Sequence, residues 1–234
     1  MRNRSTSAGV PLSTMVVLML SVFTVSMGYG IILPLLPYLI ERLLGPGGDA
    51  AQVSRATGVL TGLYTLSLFL FAPVWGHLSD RFGRRGILLI GLIGFGATMM
   101  TFAFIESLTA VYAERFFSGM FAASVTPVAL AAIGDLAANE EARARRLTFV
   151  SLAGIAGFLL GPMLGVFIAR GAVNLFPVVG AAGPLSLPLA GAAILAFLVA
   201  GAATMTVPGT KRTDATQQRE QPASQAPRWL VPKL

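Results

Sequence analysis

Six long runs of uncharged, mostly apolar residues dominate the chain, and short polar connections separate them. A helix rises about 1.5 Å per residue, so about 20 apolar residues cross the roughly 30 Å hydrocarbon core of a bilayer. Backbone groups in that core must bond within their own segment, which favours helices. The pattern predicts an all-α membrane protein with six transmembrane helices, at about residues 14–40, 56–76, 86–105, 108–133, 147–169 and 184–207.

The composition excludes most other classes of protein. Charged residues make up 12% of the chain, about half of the roughly 25% that soluble domains carry. The chain has no cysteine and a single histidine, His77. Disulfides, cysteine-ligated metals and thiol nucleophiles are therefore impossible, and a histidine-based metal site or triad is disfavoured. We expect no enzyme activity, no cofactor and no metal site.

The positive charges lie unevenly on the two sides of the predicted topology. One side carries only Arg42, Arg55 and Arg170, and Arg115 lies inside a span. Because cytoplasmic loops collect Lys and Arg, we expect both termini in the cytoplasm of a protein of the inner (plasma) membrane. This placement also explains the net charge of +7 without nucleic acid. The cytoplasmic set is Arg2, Arg4, Arg81, Arg84, Arg85, Arg143, Arg145, Arg146, Lys211, Arg212, Arg219, Arg228 and Lys233.

The chain divides into a cytoplasmic N-terminus at residues 1–13, a six-helix bundle at 14–207 and a cytoplasmic linker at 208–234. Most of the linker is rich in Gln, Ala, Thr, Pro and charge, which predicts disorder. Residues 227–234 are basic, aromatic and apolar, as expected at a membrane interface where a seventh helix begins. The alternative is a short amphipathic anchor, which would bind a membrane only weakly.

The connection between the second and third spans, residues 76–86, reads Gly-His-Leu-Ser-Asp-Arg-Phe-Gly-Arg-Arg-Gly. Glycine supplies positive φ and close helix approach in a tight turn. Asp80 is expected to cap the start of the third helix. A generic positive loop would explain the arginines alone, but it would not explain glycine, aspartate and paired arginine at these spacings.

Arg115 lies inside the fourth span, with Glu114 beside it. An arginine at the centre of a membrane helix costs about 2.5–3.5 kcal/mol on insertion scales. It must therefore reach the interface, pair, or face a wet cavity. One interpretation gives it a role in substrate or proton handling. The other makes it a packing residue satisfied by Glu114, Tyr112 or backbone carbonyls.

The fifth span carries a regular series of glycines. Gly154, Gly157, Gly161 and Gly165 are three or four residues apart and share one helix face, so a neighbouring backbone can approach closely. Pro162 removes a backbone donor and is expected to bend the helix.

These three motifs resemble signatures of the major facilitator superfamily of transporters, in the same order. Residues 76–85 are similar to the pattern G-x-L-x-D-R-x-G-R-[RK] between helices two and three. Residues 115–123 are similar to R-x-x-x-G-x-x-A-A in helix four, with Arg115 and Gly119 at its first fixed positions. Residues 157–165 resemble G-x-x-x-G-P-x-x-G, an element of antiporters in helix five, which is filled by Gly157, Gly161, Pro162 and Gly165.

Three smaller matches extend the resemblance over essentially the whole chain. Residues 33–38 look like the L-P-x-x-P element of drug and tetracycline antiporters. Residues 208–212 resemble P-E-T-K, with Gly209 in place of the glutamate, and residues 135–146 resemble the acidic-then-basic loop between helices four and five. The pattern is nearest to drug:proton antiporters of the tetracycline and multidrug type, but it covers only the first half of a twelve-helix transporter.

The resemblance implies one half of a major facilitator fold, built as a 3+3 inverted repeat. The implied function is transport of a small molecule, with proton-coupled efflux of a drug or metabolite driven by a proton gradient. The implied partners are the lipid bilayer, the substrate, and the missing C-terminal half or a second copy. The implied substrate or proton-coupling residues are Arg115, Glu114, Tyr29 and Ser26. The implied conformational-switch loop contains Gly76, Asp80, Arg81, Gly83, Arg84 and Arg85.

The sequence departs from the family pattern in its first helix. Tetracycline-type antiporters carry an acidic residue there, whereas residues 24–29 have none, which leaves Glu114 as the carboxylate inside the predicted spans. A cavity lined by Ser26, Met27, Tyr29 and Tyr64 would suit a bulky, mostly apolar compound, although these residue types line ordinary helix cores equally often. A lone half is also expected to expose Arg115 to lipid.

Three classes of function remain open from the sequence. The first is a transporter half that is active as a homodimer or with a second half. The second is a truncated or regulatory membrane fragment without transport activity. The third, a membrane enzyme, has little support because His77 lies in a loop beside Asp80.

Overall fold

The computed structural model describes residues 11–137, 139–175 and 183–208, and the regular elements in these ranges are helices. Six of them are long and apolar enough to cross a bilayer. The predicted all-α membrane protein with six spans is confirmed. The elements are α1 (Leu12–Leu44), a short 3-10 turn (Gly45–Gly47), α2 (Ala50–Phe82), α3 (Arg84–Phe102), α4 (Leu108–Leu136), α5 (Glu140–Leu175) and α6 (Gly183–Thr206). Most of the predicted N-terminal segment and nearly all of the predicted linker lie outside the described residues.

Several helices, α1, α2 and α5 above all, extend beyond the apolar runs because polar residues form their ends, whereas α3 ends at Phe102, before the predicted residue 105. The largest difference is at α5, which begins at Glu140 rather than at residue 147. The side chain of Asn139 accepts a hydrogen bond from the amide of Ala142, at 2.8 Å, and Glu140 and Glu141 stand at the positive end of the helix dipole. Asp49 and Ser107 cap α2 and α4 in the same way. Membrane length alone does not reveal such caps.

The pattern of contacts between helices stays the same when α1, α2 and α3 are exchanged with α4, α5 and α6, respectively. The most extensive contacts join α1 with α5 and α2 with α4, and this exchange relates them. The contact of α3 with α4 corresponds in the same way to that of α6 with α1. Because α1 and α4 are three crossings apart, they run in opposite directions. The pattern agrees with a 3+3 inverted repeat.

Glycine determines how closely α5 approaches α1. A Cβ atom added at Gly157 would lie 2.4 Å from the carbonyl oxygen of Phe23, and one at Gly161 would lie 2.6 Å from that of Met27. The contact is mutual, because a Cβ at Gly30 of α1 would lie 2.6 Å from the carbonyl oxygen of Phe158. The predicted close approach along this glycine face is confirmed. Any larger side chain would push backbone against backbone.

A glycine also allows α4 to approach α2 closely. A Cβ atom at Gly119 would lie 2.5 Å from the carbonyl oxygen of Tyr64. Two hydrogen bonds strengthen this contact: Ser67 donates to the carbonyl oxygen of Phe116 and the indole of Trp75 donates to that of Met120, each at 2.7 Å. The two helices are therefore fixed along several turns.

The start of α1 and the end of α6 lie at the same end of the bundle as the arginine-containing connections α2–α3 and α4–α5. The hydroxyl of Thr14, near the start of α1, donates to the carbonyl oxygen of Thr206 at the end of α6. At the same end, Arg84 of α3 reaches Asp135 of α4. The chain is thus a multi-pass bundle in which the α2–α3 and α4–α5 connections lie on one side.

The glycine contact gives a stability prediction. Gly161→Ala inserts one Cβ between two backbones and is expected to destabilise the bundle by about 1–3 kcal/mol, as overpacking does. Gly201→Ala is the matched control, because this α6 glycine has open space around it. Thermal unfolding in detergent should show a lower midpoint for Gly161→Ala and an unchanged or higher midpoint for Gly201→Ala. Equal midpoints would contradict the close contact.

Candidate functional site

An open cleft of about 430 Å³ lies between α1, α2, α4 and α5. Among the described residues, no Cα atom of α2 lies within 8 Å of a Cα atom of α5, so these two helices form opposite rims. Most of the wall is apolar, and it contains no charged side chain. The lining residues are Val25, Ser26, Tyr29, Tyr64, Thr65, Leu68, Ala122, Thr126, Gly154, Ile155, Phe158 and Leu159. Such a surface favours an apolar ligand that is oriented by a few hydroxyl groups.

Three aromatic rings form one wall of this cleft. The rings of Tyr29 and Tyr64 are stacked, with centroids 4.6 Å apart and planes 10° apart. Phe158 extends the row, with its centroid 5.9 Å from that of Tyr29. The arrangement follows from the packing of α1 on α5, since Gly30 lies against the backbone of Phe158 and brings the two rings together. The cleft thus offers flat apolar surfaces for stacking.

The charged pair inside the bundle lies behind the cleft wall. Arg115 donates from Nε to Oε2 of Glu114 at 2.7 Å and from Nη2 to Oε1 at 2.8 Å. The two residues are 1% and 5% exposed. The guanidinium carbon lies 4.7 Å from the centroid of Phe102 and 5.6 Å from that of Tyr64. A bidentate carboxylate and two aromatic rings therefore replace the water that the charge has lost.

Two expectations about the cavity need correction. The expectation that a lone half exposes Arg115 to lipid is wrong, because the side chain is buried and paired within its own helix. Arg115 and Glu114 do not line the cleft, and their role in substrate or proton handling stays a prediction. Met27 does not line it either, since its backbone lies against the glycines of α5. Ser26, Tyr29 and Tyr64 do line it.

The connection between α2 and α3 is organised by Arg84. Its guanidinium pairs with Asp80 at 2.7 Å and with Asp135 at 3.0 Å, and it also donates to the hydroxyl of Ser79 at 2.6 Å. Gly83 has a φ of 94°, which an L side chain rarely adopts, and allows the sharp turn between the two helices. The connection thus ties α2, α3 and α4 together at one end.

Other predicted residues of this connection behave differently. The capping role expected for Asp80 is wrong, because α2 continues to Phe82 and the carboxylate pairs with Arg84 instead. Gly76 lies inside α2 with open space around it, so close packing does not require a glycine there. Arg81 lies over the ring of Phe82, and Arg85 is half-buried in the first turn of α3.

The remaining predicted residues lie within helix contacts. Gly119, Gly157 and Gly161 face carbonyl oxygens, Gly165 faces the side chain of Ile31, and Pro162 lies beside Gly30. Sequence reasoning missed Asp135 as a partner of Arg84, together with Ser67 and Trp75. Each contacts a residue about 50 positions away, and no local pattern reports such a distance. No cluster of metal-ligating side chains occurs in the described ranges.

The buried pair gives a second stability prediction. Glu114→Gln or Arg115→Met alone leaves one uncompensated charge or donor and is expected to cost about 3–5 kcal/mol. The double variant removes both charges and should recover much of that loss, because no charge remains buried. Thermal unfolding of the three variants measures the effect. Additive losses in the double variant would show that the two groups do not depend on each other.

Comparison with known proteins places the chain in a family. The profile of the Major Facilitator Superfamily matches residues 18–232. The chain is 34% identical over 142 residues to the class B tetracycline resistance protein of Escherichia coli. It is 36% identical over 153 residues to the class G tetracycline resistance protein of Vibrio anguillarum. It is 30% identical over 154 residues to the quinolone resistance protein NorA of Staphylococcus aureus.

These matches include most of the chain but little more than a third of each relative. They cover 61%, 65% and 66% of the chain, and 34%, 37% and 38% of the class B, class G and NorA proteins. The fold resembles two crystal structures of the peptide transporter POT in complex with sulfate, with TM-scores of 0.69 and 0.67 at 17% and 16% identity. The similarity covers 94% of the chain and 46% of each of those structures. With a family profile matched over nearly its whole length, the chain belongs to the Major Facilitator Superfamily.

Proposed function

We propose that the chain is one half of an alternating-access transporter that exports a small molecule, of the drug:proton antiporter type. The observation that carries this proposal is the apolar, aromatic-walled cleft between α1, α2, α4 and α5. The names of the relatives, which are tetracycline and quinolone resistance proteins, support a drug as the substrate. In transporters with inverted repeats, the substrate site lies at the interface between repeats, near the bilayer midplane.

The wall of the cleft favours a bulky and flat compound. The rings of Tyr29 and Phe158 provide stacking surfaces, while Ser26 and Thr126 provide hydroxyl groups. Because no charged side chain lines this half of the site, the half does not by itself select for a cation. An uncharged aromatic ring system with several hydrogen-bonding groups would stack on the rings and bond to the hydroxyl groups.

A proton gradient is the proposed energy source, and no bound cofactor is needed. Glu114 is the buried carboxylate of the described helices and neutralises Arg115. A proton on Glu114 would cancel the countercharge of Arg115 and change the electrostatics behind the cleft wall. Because an unpaired charge in the membrane interior is costly, such a change would favour a different arrangement of the bundle.

A second six-helix half is the proposed protein partner. The most apolar stretches of α2 and α5 are the least buried, at 17% of residues each, against 44% or more in the other four helices. Exposed apolar side chains follow both rims of the cleft, among them Phe69 of α2 and Leu159 of α5. A second copy or a separate second half on this face would close the cleft.

The proposed location is the inner (plasma) membrane. The arginine-rich end of the bundle and both termini are proposed to face the cytoplasm. The α2–α3 and α4–α5 connections at this end carry most of the described Lys and Arg residues outside the membrane. The network of Asp80, Arg84 and Asp135 is then a cytoplasmic contact whose opening accompanies conformational change. Its exposed carboxylates make it easy to break and remake.

The alternative is a truncated or regulatory membrane fragment that inserts without transporting. The matches cover little more than a third of each relative, so the transport activity of the whole relatives is not carried over to this chain without a test. Two measurements distinguish an assembled pair of halves from a lone fragment. The first is contact between chains across the cleft-side face, and the second is transport of substrate.

Cross-linking measures contact across this face. The chain has no cysteine, so a single Cys reports without background. Leu159→Cys, on a rim of the cleft and 68% exposed, is expected to form cross-linked dimers in native membranes. Leu198→Cys of α6, 66% exposed, is the matched control and should remain monomeric. Equal cross-linking of both positions would contradict a specific contact on this face, and absence of cross-linking at Leu159→Cys would exclude a second copy there.

Transport is measured in inside-out vesicles from cells that express the chain, with tetracycline as the probe and an imposed pH gradient as the driving force. Accumulation above that of vesicles without the chain is expected. Asp80→Asn should lower it at least tenfold, because Arg84 loses one of its two carboxylates. Insertion and thermal stability should change little, since the Asp80 carboxylate is half exposed, Arg84 keeps Asp135, and an ion pair at a surface contributes only about 0–1 kcal/mol. Absence of tetracycline accumulation in the presence of cross-linked dimers would argue against the proposed function.

A further inference from the structure

The buried pair of Arg115 and Glu114 cannot be opened by one helix moving past another. The two residues are consecutive in α4, and their bidentate contact is made within that helix. An ion pair between two helices would break when those helices separate, whereas this pair travels as one unit. Its energy therefore depends on the groups that cover it.

Two aromatic rings cover the guanidinium, and they have different surroundings. Phe102 belongs to α3 and lines a small separate pocket of about 120 Å³ away from the cleft. Tyr64 belongs to α2 and also lines the cleft, where its ring stacks on that of Tyr29. Of these two rings, Tyr64 is the one that lies against the guanidinium and also lines the cleft.

The backbone of Tyr64 is held in place, so its ring is the part that can respond. Its carbonyl oxygen lies against Gly119 of α4, and Ser67, one turn further along α2, bonds to the carbonyl oxygen of Phe116. These contacts fix α2 against α4 next to Arg115. A change on either side of the ring must therefore be absorbed by rotation of the side chain rather than by a shift of the helix.

We propose that Tyr64 is the positioning residue that couples the occupied cleft to the Arg115–Glu114 pair. A flat aromatic compound that stacks on Tyr29 competes with the Tyr29–Tyr64 stack. The displaced Tyr64 ring then changes its contact with the guanidinium, and the environment of Glu114 changes with it. The identity of the occupant rests on the proposed function, whereas the coupling through Tyr64 does not.

The coupling is tested first without a ligand, by the rate at which a single Cys in the cleft reacts with a small hydrophilic thiol reagent. Ser26→Cys places the thiol one turn from Tyr29 on the cleft wall. Arg115→Lys removes the planar group that lies against Tyr64. The loosened ring should raise the labelling rate about threefold, a factor in the range expected for loss of a cation–ring contact.

Repeating the measurement with a different residue at position 64 distinguishes coupling through Tyr64 from a general loss of structure. Tyr64→Leu should abolish the effect of Arg115→Lys on labelling, and Tyr64→Phe, which keeps the ring, should preserve it. Leu68→Ala is the control from the same helix, because Leu68 lines the cleft and carries no ring over the guanidinium, and the effect should persist there. The same increase in the Tyr64→Leu background would overturn the proposal.

A second perturbation covers the case in which Arg115→Lys does not fold. Phe102→Leu changes the other ring over the guanidinium and does not touch the cleft. It should also alter labelling of Ser26→Cys when residue 64 is Tyr or Phe, and not when it is Leu. Unchanged labelling in a folded Phe102→Leu protein would contradict the coupling.

Tetracycline then tests the occupant. It should protect Ser26→Cys from labelling, and Arg115→Lys should change its apparent affinity about threefold with Tyr at position 64 and not with Leu, because coupling is reciprocal. Failure to protect would count against the proposed function, while the ligand-free rates would still decide the coupling. Protection with the same affinity change in the Tyr64→Leu background would overturn the coupling alone.

Discussion

A guanidinium group in the interior of a membrane bundle requires a countercharge, and in this protein the next residue supplies it. The bidentate contact between Arg115 and Glu114 removes the need for water or for a carboxylate from another helix. The half can therefore keep its charged pair buried without a partner. The cleft in front of the pair is left free of charge, and its wall is formed by aromatic and aliphatic side chains with a few hydroxyl groups.

Backbone contacts at glycine hold the bundle in the geometry that creates this cleft. Gly157 and Gly161 bring α5 onto α1, while Gly119 brings α4 onto α2. With little hydrophobic force between helices in lipid, close van der Waals packing of this kind is a main source of helix association. The same contacts position the rings of the cleft wall, because Gly30 meets the backbone of Phe158 and Gly119 meets that of Tyr64.

The six helices and the glycine face follow from local patterns, since apolar length and residue spacing along one helix are visible in the sequence. The environment of Arg115 does not follow from local patterns. Consecutive residues on a helix point about 100° apart and do not normally face each other, so spacing alone could not choose Glu114 over a cavity. The partner of Arg84 is 51 residues away, at Asp135, and depends on how α3 and α4 pack. The sequence does not show that α2 continues past Asp80 to Phe82, which rules out the predicted capping role of Asp80.

The pairing of α1 with α5, and of α2 with α4, has a mechanical consequence. Contacts made between backbone atoms have no side chains that can rearrange, so each pair moves as a single stiff piece. The rims α2 and α5 belong to different pairs, and within the described ranges their Cα atoms stay more than 8 Å apart. The width of the cleft is therefore set by the angle between these two pairs of helices. They meet most extensively where α1 packs on α4, so a small tilt at that contact becomes a larger displacement at the mouth.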